Sequence, residues 1–124
     1  MLSKLGAICY ALWGVLHLIA VVDQYEYAHA LESGLTQGRL YQGTTYLLVM
    51  ALTAIVVAVF YNWRNSRSGY WINLAVVSLA DIPFIMFVLM PGHMPFFPGI
   101  MGPVLWIGGL VLTTLALRDQ ARNS

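Results

Sequence analysis

The segment Tyr70–Met90, YWINLAVVSLADIPFIMFVLM, decides the fold class and the location of the candidate site. It is an apolar run long enough to cross about 30 Å of hydrocarbon as a helix. Asp81 lies near its middle, where an ionisable side chain costs at least about 3 kcal/mol. Pro83 has no N–H, so we expect it to bend the helix and to free the carbonyl of Leu79. A carboxyl group beside a broken hydrogen-bond ladder indicates a site in this segment.

The composition extends this interpretation to the whole chain. Of 124 residues, 60% are hydrophobic and 9% are charged, whereas soluble domains have about 45–50% and about 25%. Such a chain needs the lipid bilayer as its solvent. Four apolar runs each have a length suited to one membrane crossing: residues 5–22, 41–60, 71–90 and 100–117. We therefore predict an all-α polytopic membrane protein, with residues 1–124 forming a single four-helix transmembrane domain in the bacterial inner (plasma) membrane.

The positions of Lys and Arg predict the orientation of this bundle. Five of the six basic residues lie in the terminal segments or in the middle connection, and only Arg39 lies in the other connections. Because cytoplasmic loops carry an excess of Lys and Arg, we expect both termini in the cytoplasm and residues 23–40 and 91–99 outside. The net charge of +1 and the absence of a basic stripe predict no nucleic-acid partner.

Two small motifs argue against metal and disulfide chemistry. Cys9 is the only cysteine, so there is no internal disulfide and no CxxC motif. Glu26 and His29 form an E-x-x-H pair, but a di-iron bundle site needs a second such pair. We interpret residues 23–40 as a solvated turn, and we predict no metal and no cofactor.

Polar side chains recur on one face of each apolar run. In the first run the spacing of Tyr10, Trp13 and His17 places them on one helix face. In lipid, polar faces are expected to point into the bundle. By the same reasoning we expect inward positions for Gln42, Thr45 and Tyr46 in the second run, Ser78 and Asp81 in the third, and Trp106 in the fourth, with His93 above the same cavity.

Counting along the helices gives the depths of these groups. Asp81 lies about 13 Å and His17 about 8 Å below the outer boundary, taking about 1.5 Å per residue. Both depths lie in the outer half of the membrane, so the two groups can belong to one site. The difference in depth places their side chains a few Å too far apart for direct contact. Apolar walls with a few convergent polar groups are typical of ligand sites.

The first functional hypothesis is an enzyme that acts on a small lipophilic substrate by isomerisation, hydration or cyclisation. Asp81 would be the general acid or base, His17 would shuttle or orient the proton, and Tyr46 would hold a substrate oxygen. The remaining polar and aromatic residues of the cluster would bind the ligand: Trp13, Gln42, Thr45, Ser78, His93 and Trp106. This chemistry needs no redox cofactor.

The alternative hypothesis is a non-catalytic bundle that binds a small apolar ligand or a partner subunit. Asp81 would then clamp two helices together, and in one variant His17 would be an axial ligand to a haem. A transporter is disfavoured because one four-helix unit without an internal repeat would have to form a homodimer.

Overall fold

The computed structural model describes residues 1–124 and is entirely helical, with no strand. Four of the helices are long and apolar enough to cross a membrane, which confirms the predicted all-helical class. The elements are α1 (Leu2–Ala30), α2 (Leu35–Phe60), a 3-10 turn (Asn62–Arg64), α3 (Arg67–Phe84), a π-helical turn (Ile85–Leu89), the short segment α4 (Phe96–Gly99) and α5 (Met101–Arg122).

The four long helices form an antiparallel bundle in which α1 and α3 lie on a diagonal. Helix α1 packs on α2 and α5, and α3 packs on the same two helices. Asn65, in the connection between α2 and α3, donates hydrogen bonds to the Ala116 carbonyl at 3.0 Å and to the Gln120 side chain at 3.1 Å. Lys4 lies 5.3 Å from the centre of the Trp63 ring. Both termini and this connection therefore share one end, which we call the basic end.

Small residues let α1 approach its neighbours closely. A Cβ atom at Gly14 would overlap Ile55 and would lie 2.9 Å from the Ala51 carbonyl oxygen on α2. A Cβ atom at Gly6 would lie 3.1 Å from the backbone nitrogen of Thr113 on α5. Backbone atoms cannot move aside as a flexible side chain can. These two glycines therefore determine how closely α1 packs against α2 and α5.

The connection between α1 and α2 is shorter than the sequence suggested. The prediction of a turn over residues 23–40 is wrong, since only residues 31–34 separate the two helices. Gln37 donates from Nε2 to the carbonyls of Ala28 and Leu31, each at 3.0 Å, and so satisfies groups that the end of α1 leaves free. With 29 residues, α1 is about 44 Å long.

Helix α3 does not end at its proline. It continues through Pro83 to Phe84, and the N–H of Ile85 reaches the carbonyls of Asp81 and Ile82. The chain then widens into the π-helical turn, where the N–H of Met90 bonds to the Ile85 carbonyl at 2.9 Å. The backbone irregularity therefore lies just beyond Pro83, at the end of the bundle opposite the basic end.

Candidate functional site

Asp81 lies at the centre of the bundle with no exposed surface. The other four acidic residues are exposed. The indole Nε1 of Trp13 donates a hydrogen bond to Oδ2 of Asp81 at 3.0 Å. Because Trp13 is on α1 and Asp81 on α3, this bond joins the two helices of the diagonal. The length of the indole side chain allows it to span the middle of the core.

His17 lies one helical turn beyond Trp13, and Trp13 determines its orientation. The Nδ1 atom of His17 is 2.8 Å from the Trp13 carbonyl oxygen. A carbonyl oxygen only accepts, so Nδ1 carries the hydrogen, and Nε2 of the neutral ring is an acceptor. The imidazole also stacks on the indole, with ring centroids 3.8 Å apart. Both contacts hold Nε2 toward α3.

The resulting pair brings two acceptor atoms together in a buried place. His17 Nε2 lies 3.7 Å from Oδ1 of Asp81, and the His17 side chain is only 14% exposed. This separation is too long for a direct hydrogen bond. Oδ1 is buried and has no hydrogen-bond partner in the protein, a situation that costs about 1–3 kcal/mol for a buried acceptor. Because both atoms are acceptors, a group that bridged them would have to donate to both.

Gly102, at the start of α5, lets the backbone of this helix approach the pair closely. A Cβ atom there would lie 3.1 Å from Cε1 of His17, 3.7 Å from Nε2 and 3.8 Å from Oδ1 of Asp81. A cavity of about 230 Å³ reaches His17 and Gly102 from the end of the bundle opposite the basic end. Its wall also includes Asp23, Phe84 and Met94. Asp81 itself is not in this wall, so the cavity reaches the carboxyl group by way of His17.

Ser78 and Trp106 bond to each other. The Trp106 indole Nε1 donates to Ser78 Oγ at 3.0 Å, and both side chains are half-buried. Trp106 also packs against the hydrophobic core. Both polar groups therefore already have a hydrogen-bond partner, and the two side chains pack beside the core.

The polar face of α2 points out of the bundle, so the predicted inward positions of Gln42, Thr45 and Tyr46 are wrong. Tyr46 is 56% exposed, and its hydroxyl accepts a hydrogen bond from Gln42 Nε2 at 2.8 Å. Thr45 Oγ1 donates to the carbonyl of Tyr41 at 2.9 Å. Each polar group is satisfied within its own helix, which removes most of the cost of an outward position.

Small side chains occupy the inward face of α2. The buried residues of this helix are Thr44, Ala51, Ala54, Val57 and Ala58. Such residues allow close helix approach, as the contact of α2 with Gly14 shows. Side-chain size thus determines which face of α2 is buried. None of the three site residues predicted on this helix lines the cavity beside His17.

The connection after α3 brings Met94, and not His93, into the wall of the cavity. His93 is exposed, and its backbone N–H bonds to the carbonyl of Val88 at 3.0 Å. The chain turns here at Gly92, which has φ of +81°. The turn places successive side chains in different directions, so the prediction that His93 hangs over the cavity is wrong.

The close approach of His17 and Asp81 also differs from the depth estimate. Counting from the ends of the apolar runs separated the two groups by about 5 Å along the bundle, but their polar atoms are 3.7 Å apart. The estimate took the ends of the two apolar runs to lie at one level, but α1 continues past its run to Ala30, so the end of that run is not a common reference level. Gly102 and Asp23 also lie in the cavity wall and were not among the predicted site residues. The Gly-Pro start of the last helix and the carboxyl six residues after His17 were the available signals.

No three His, Cys, Asp or Glu side chains lie close enough together to hold a metal ion. Glu26 and His29 are both exposed, and His29 stacks on Tyr25 at a centroid distance of 6.5 Å.

The fold and the site define a helical bundle with four potential membrane-crossing helices around a buried carboxyl–imidazole pair. The chain matches no known family model, no curated protein and no solved structure.

Proposed function

We propose that this protein is a small integral membrane enzyme that performs general acid–base chemistry on a small lipophilic substrate. The observation that carries the proposal is the Asp81–His17 pair, in which the buried Oδ1 of Asp81 lies 3.7 Å from Nε2 of an imidazole ring that lines a cavity. The relevant reactions are isomerisation, hydration and cyclisation. Each needs a proton delivered to one substrate atom and a proton taken from another or from water, and none needs an oxidant.

The three residues of the site have separate roles in this proposal. Asp81 delivers and recovers the proton, because its carboxyl group is the acid at the centre of the bundle. His17 carries the proton between the cavity and Asp81, since its Nε2 faces Oδ1 and its ring lines the cavity wall. Trp13 positions both groups through its indole N–H and its carbonyl oxygen. Tyr46 has no role, because it lies on the outer surface.

The proposed setting is the bacterial inner membrane, with both termini in the cytoplasm. The basic end of the bundle carries five of the six Lys and Arg residues, and cytoplasmic segments have this bias. Large hydrophobic side chains are exposed along all four long helices, as lipid-facing surfaces require. The cavity beside His17 then opens toward the outer leaflet.

The proposal is tested by solvent deuterium exchange. Purified protein in liposomes made from bacterial lipid extract is incubated in D2O, and mass spectrometry measures deuterium fixed on carbon in the extracted lipids. Acid–base chemistry at a double bond or beside a carbonyl introduces such deuterium. We expect Asp81→Asn to fold and to reduce incorporation about 10²–10⁴-fold, the usual contribution of a general acid or base. For His17→Gln we expect a smaller loss.

The outcome that overturns the proposal is equal incorporation by the wild type and a folded Asp81→Asn variant, or incorporation by neither above protein-free liposomes. Thermal unfolding in detergent, measured on the same samples, confirms that each variant is folded.

The second candidate is a non-catalytic bundle in which Asp81 clamps α1 to α3. The Trp13–Asp81 bond across the diagonal favours it. Asparagine retains an acceptor for Trp13, and its amide can donate toward His17 Nε2. A pure clamp therefore predicts that Asp81→Asn is at least as stable as the wild type and keeps any bound ligand. Loss of exchange with stability retained separates the enzyme from the clamp.

A further inference from the structure

We infer that the basic end of the bundle holds the phosphate group of an anionic membrane lipid, in a cleft whose wall includes Arg64 and Arg67. The cleft lies between the connection that follows α2 and the end of α5. This inference goes beyond the proposed function, because the cleft is at the end of the bundle opposite the cavity that contains His17.

The size and the wall of the cleft suit a polar anion. Its volume is about 470 Å³, and small-molecule sites have volumes of about 300–1,000 Å³. Only two of the eight residues in the wall are hydrophobic. The polar and charged ones are Arg64, Asn65, Ser66, Arg67, Gln120 and Ser124. The cavity beside His17 has neither Lys nor Arg in its wall, so the two sites select different ligands.

Hydrogen bonds hold the two sides of the cleft together. Asn65 Nδ2 donates to the Ala116 carbonyl at 3.0 Å and to Oε1 of Gln120 at 3.1 Å. Asn65 has a φ of +57° and ends the 3-10 turn, a left-handed conformation that asparagine adopts more readily than most residues. Ser66 then caps α3, because its Oγ accepts from the N–H of Gly69. The backbone that carries both arginines is therefore ordered without a ligand.

Arg64 and Arg67 are free to bind an anion. Both are exposed, and the only contact within 4 Å between a basic and an acidic group in the protein is that of His17 with Asp81. Ser124, the last residue of the sequence, lies in the wall, but its carboxyl group makes no ion pair with either arginine. A guanidinium group has five N–H donors in a planar fork that matches two oxygens of a phosphate. Two such groups in one wall favour a phosphate over a neutral ligand.

The position of the cleft favours a lipid over a free phosphate ion. Trp63 and Trp71 lie on either side of the two arginines in the sequence and are 43% and 60% exposed. Tryptophans of membrane proteins concentrate at the level of the lipid head groups, so we expect the arginines at that level. Leu117, where the apolar run of α5 ends, is in the cleft wall. Basic pockets between helices on the cytoplasmic side of a membrane bind anionic head groups.

The test is native mass spectrometry of the purified protein in dodecyl maltoside, titrated with either of two lipids. Dioleoylphosphatidylglycerol is anionic, whereas the phosphate of dioleoylphosphatidylcholine is neutralised by its own ammonium group. We expect one phosphatidylglycerol molecule to bind about tenfold more tightly than phosphatidylcholine. Inorganic phosphate is then added as a competitor, and at a concentration equal to that of the lipid we expect no displacement.

Two double variants remove the same charge from the same end of the bundle. Arg64→Gln with Arg67→Gln removes the arginines of the cleft, whereas Arg118→Gln with Arg122→Gln removes two exposed arginines outside its wall. We expect the first to weaken phosphatidylglycerol binding about 30-fold, which corresponds to about 2 kcal/mol. The second should weaken it by no more than about threefold, since exposed charges at a distance are screened. Lysine at both cleft positions keeps the charge without the planar fork, so we expect an intermediate loss.

Equal binding of the two lipids would overturn the inference, as would an equal loss in the two glutamine variants or displacement of the lipid by an equal concentration of inorganic phosphate. Thermal unfolding of the same samples shows whether each variant is folded. If the cleft variant does not fold, the two lipids and inorganic phosphate decide on the wild type. The result is independent of the deuterium assay, because lipid binding at the basic end requires no chemistry at Asp81.

Discussion

Substitution of Trp13 by Phe should destabilise the bundle, because it removes the only hydrogen bond that the Asp81 carboxyl group accepts. Both oxygens of a fully buried carboxyl group would then lack partners. An unpaired buried acceptor costs about 1–3 kcal/mol, and the space left by the indole adds to that loss. Trp106→Phe is the matched control. It removes the same N–H from a half-buried bond to Ser78, whose hydroxyl can bond to its own helix.

The contribution of the bond is isolated by a double-mutant cycle. Unfolding free energies in mixed detergent micelles are measured for Trp13→Phe, Asp81→Leu and the double variant. Once Asp81 is leucine, the indole N–H has no acceptor and Trp13→Phe loses only packing. We expect a coupling energy of about 1–3 kcal/mol. A coupling energy below about 0.5 kcal/mol, or a loss no larger than that of Trp106→Phe, would refute the role of this bond across the diagonal.

Three further predictions concern topology and the backbone. In a cysteine-free background, a cysteine at Gly34 should react with a membrane-impermeant thiol reagent in intact cells and one at Ser66 should not; the reverse labelling would contradict the orientation. Pro83→Ala supplies the missing donor to α3, so it should preserve or raise thermal stability while lowering deuterium exchange, and lower stability with unchanged exchange would identify the proline as ordinary packing. Gly14→Ala should cost about 1–3 kcal/mol of unfolding free energy by overpacking, whereas Gly43→Ala, where a Cβ atom meets nothing within 4 Å, should be neutral or stabilising.

The number and type of the long helices could be predicted because they depend on properties of each segment alone. A run of about 20 apolar residues has few alternatives to a helix when most of its surface must be apolar. Helix ends were less predictable. Residues 23–30 are polar and aromatic, which is compatible with either a solvated turn or a helix that continues past the apolar run, and the structure has the helix.

The inward positions of Trp13, His17 and Asp81 could be predicted from two sequence signals, the spacing of three and four residues on α1 and a carboxyl group in an apolar run. The close approach of His17 to Asp81 could not, since the counted depths separated them. The inward face of α2 could not be read in the same way. Its polar residues bond within the helix, as Thr45 does with Tyr41, so their periodicity does not indicate which side is buried. The buried side of α2 is determined by the packing of its small residues against Gly14 of α1. Such packing depends on both helices, so it cannot be inferred from the sequence of α2 alone.

The arrangement around Trp13 favours the enzyme over the clamp. A clamp between α1 and α3 needs only the indole N–H, which reaches Oδ2 of Asp81. Trp13 also holds His17 through its carbonyl oxygen and through stacking at 3.8 Å, and this places Nε2 opposite the unpartnered Oδ1. Orienting His17 toward an acceptor that it does not reach adds nothing to helix packing and leaves the cost of the unpaired oxygen in place. An imidazole held beside a buried carboxyl group, with its ring in the wall of a cavity, is suited to carry a proton between the two, as the proposed acid–base site requires.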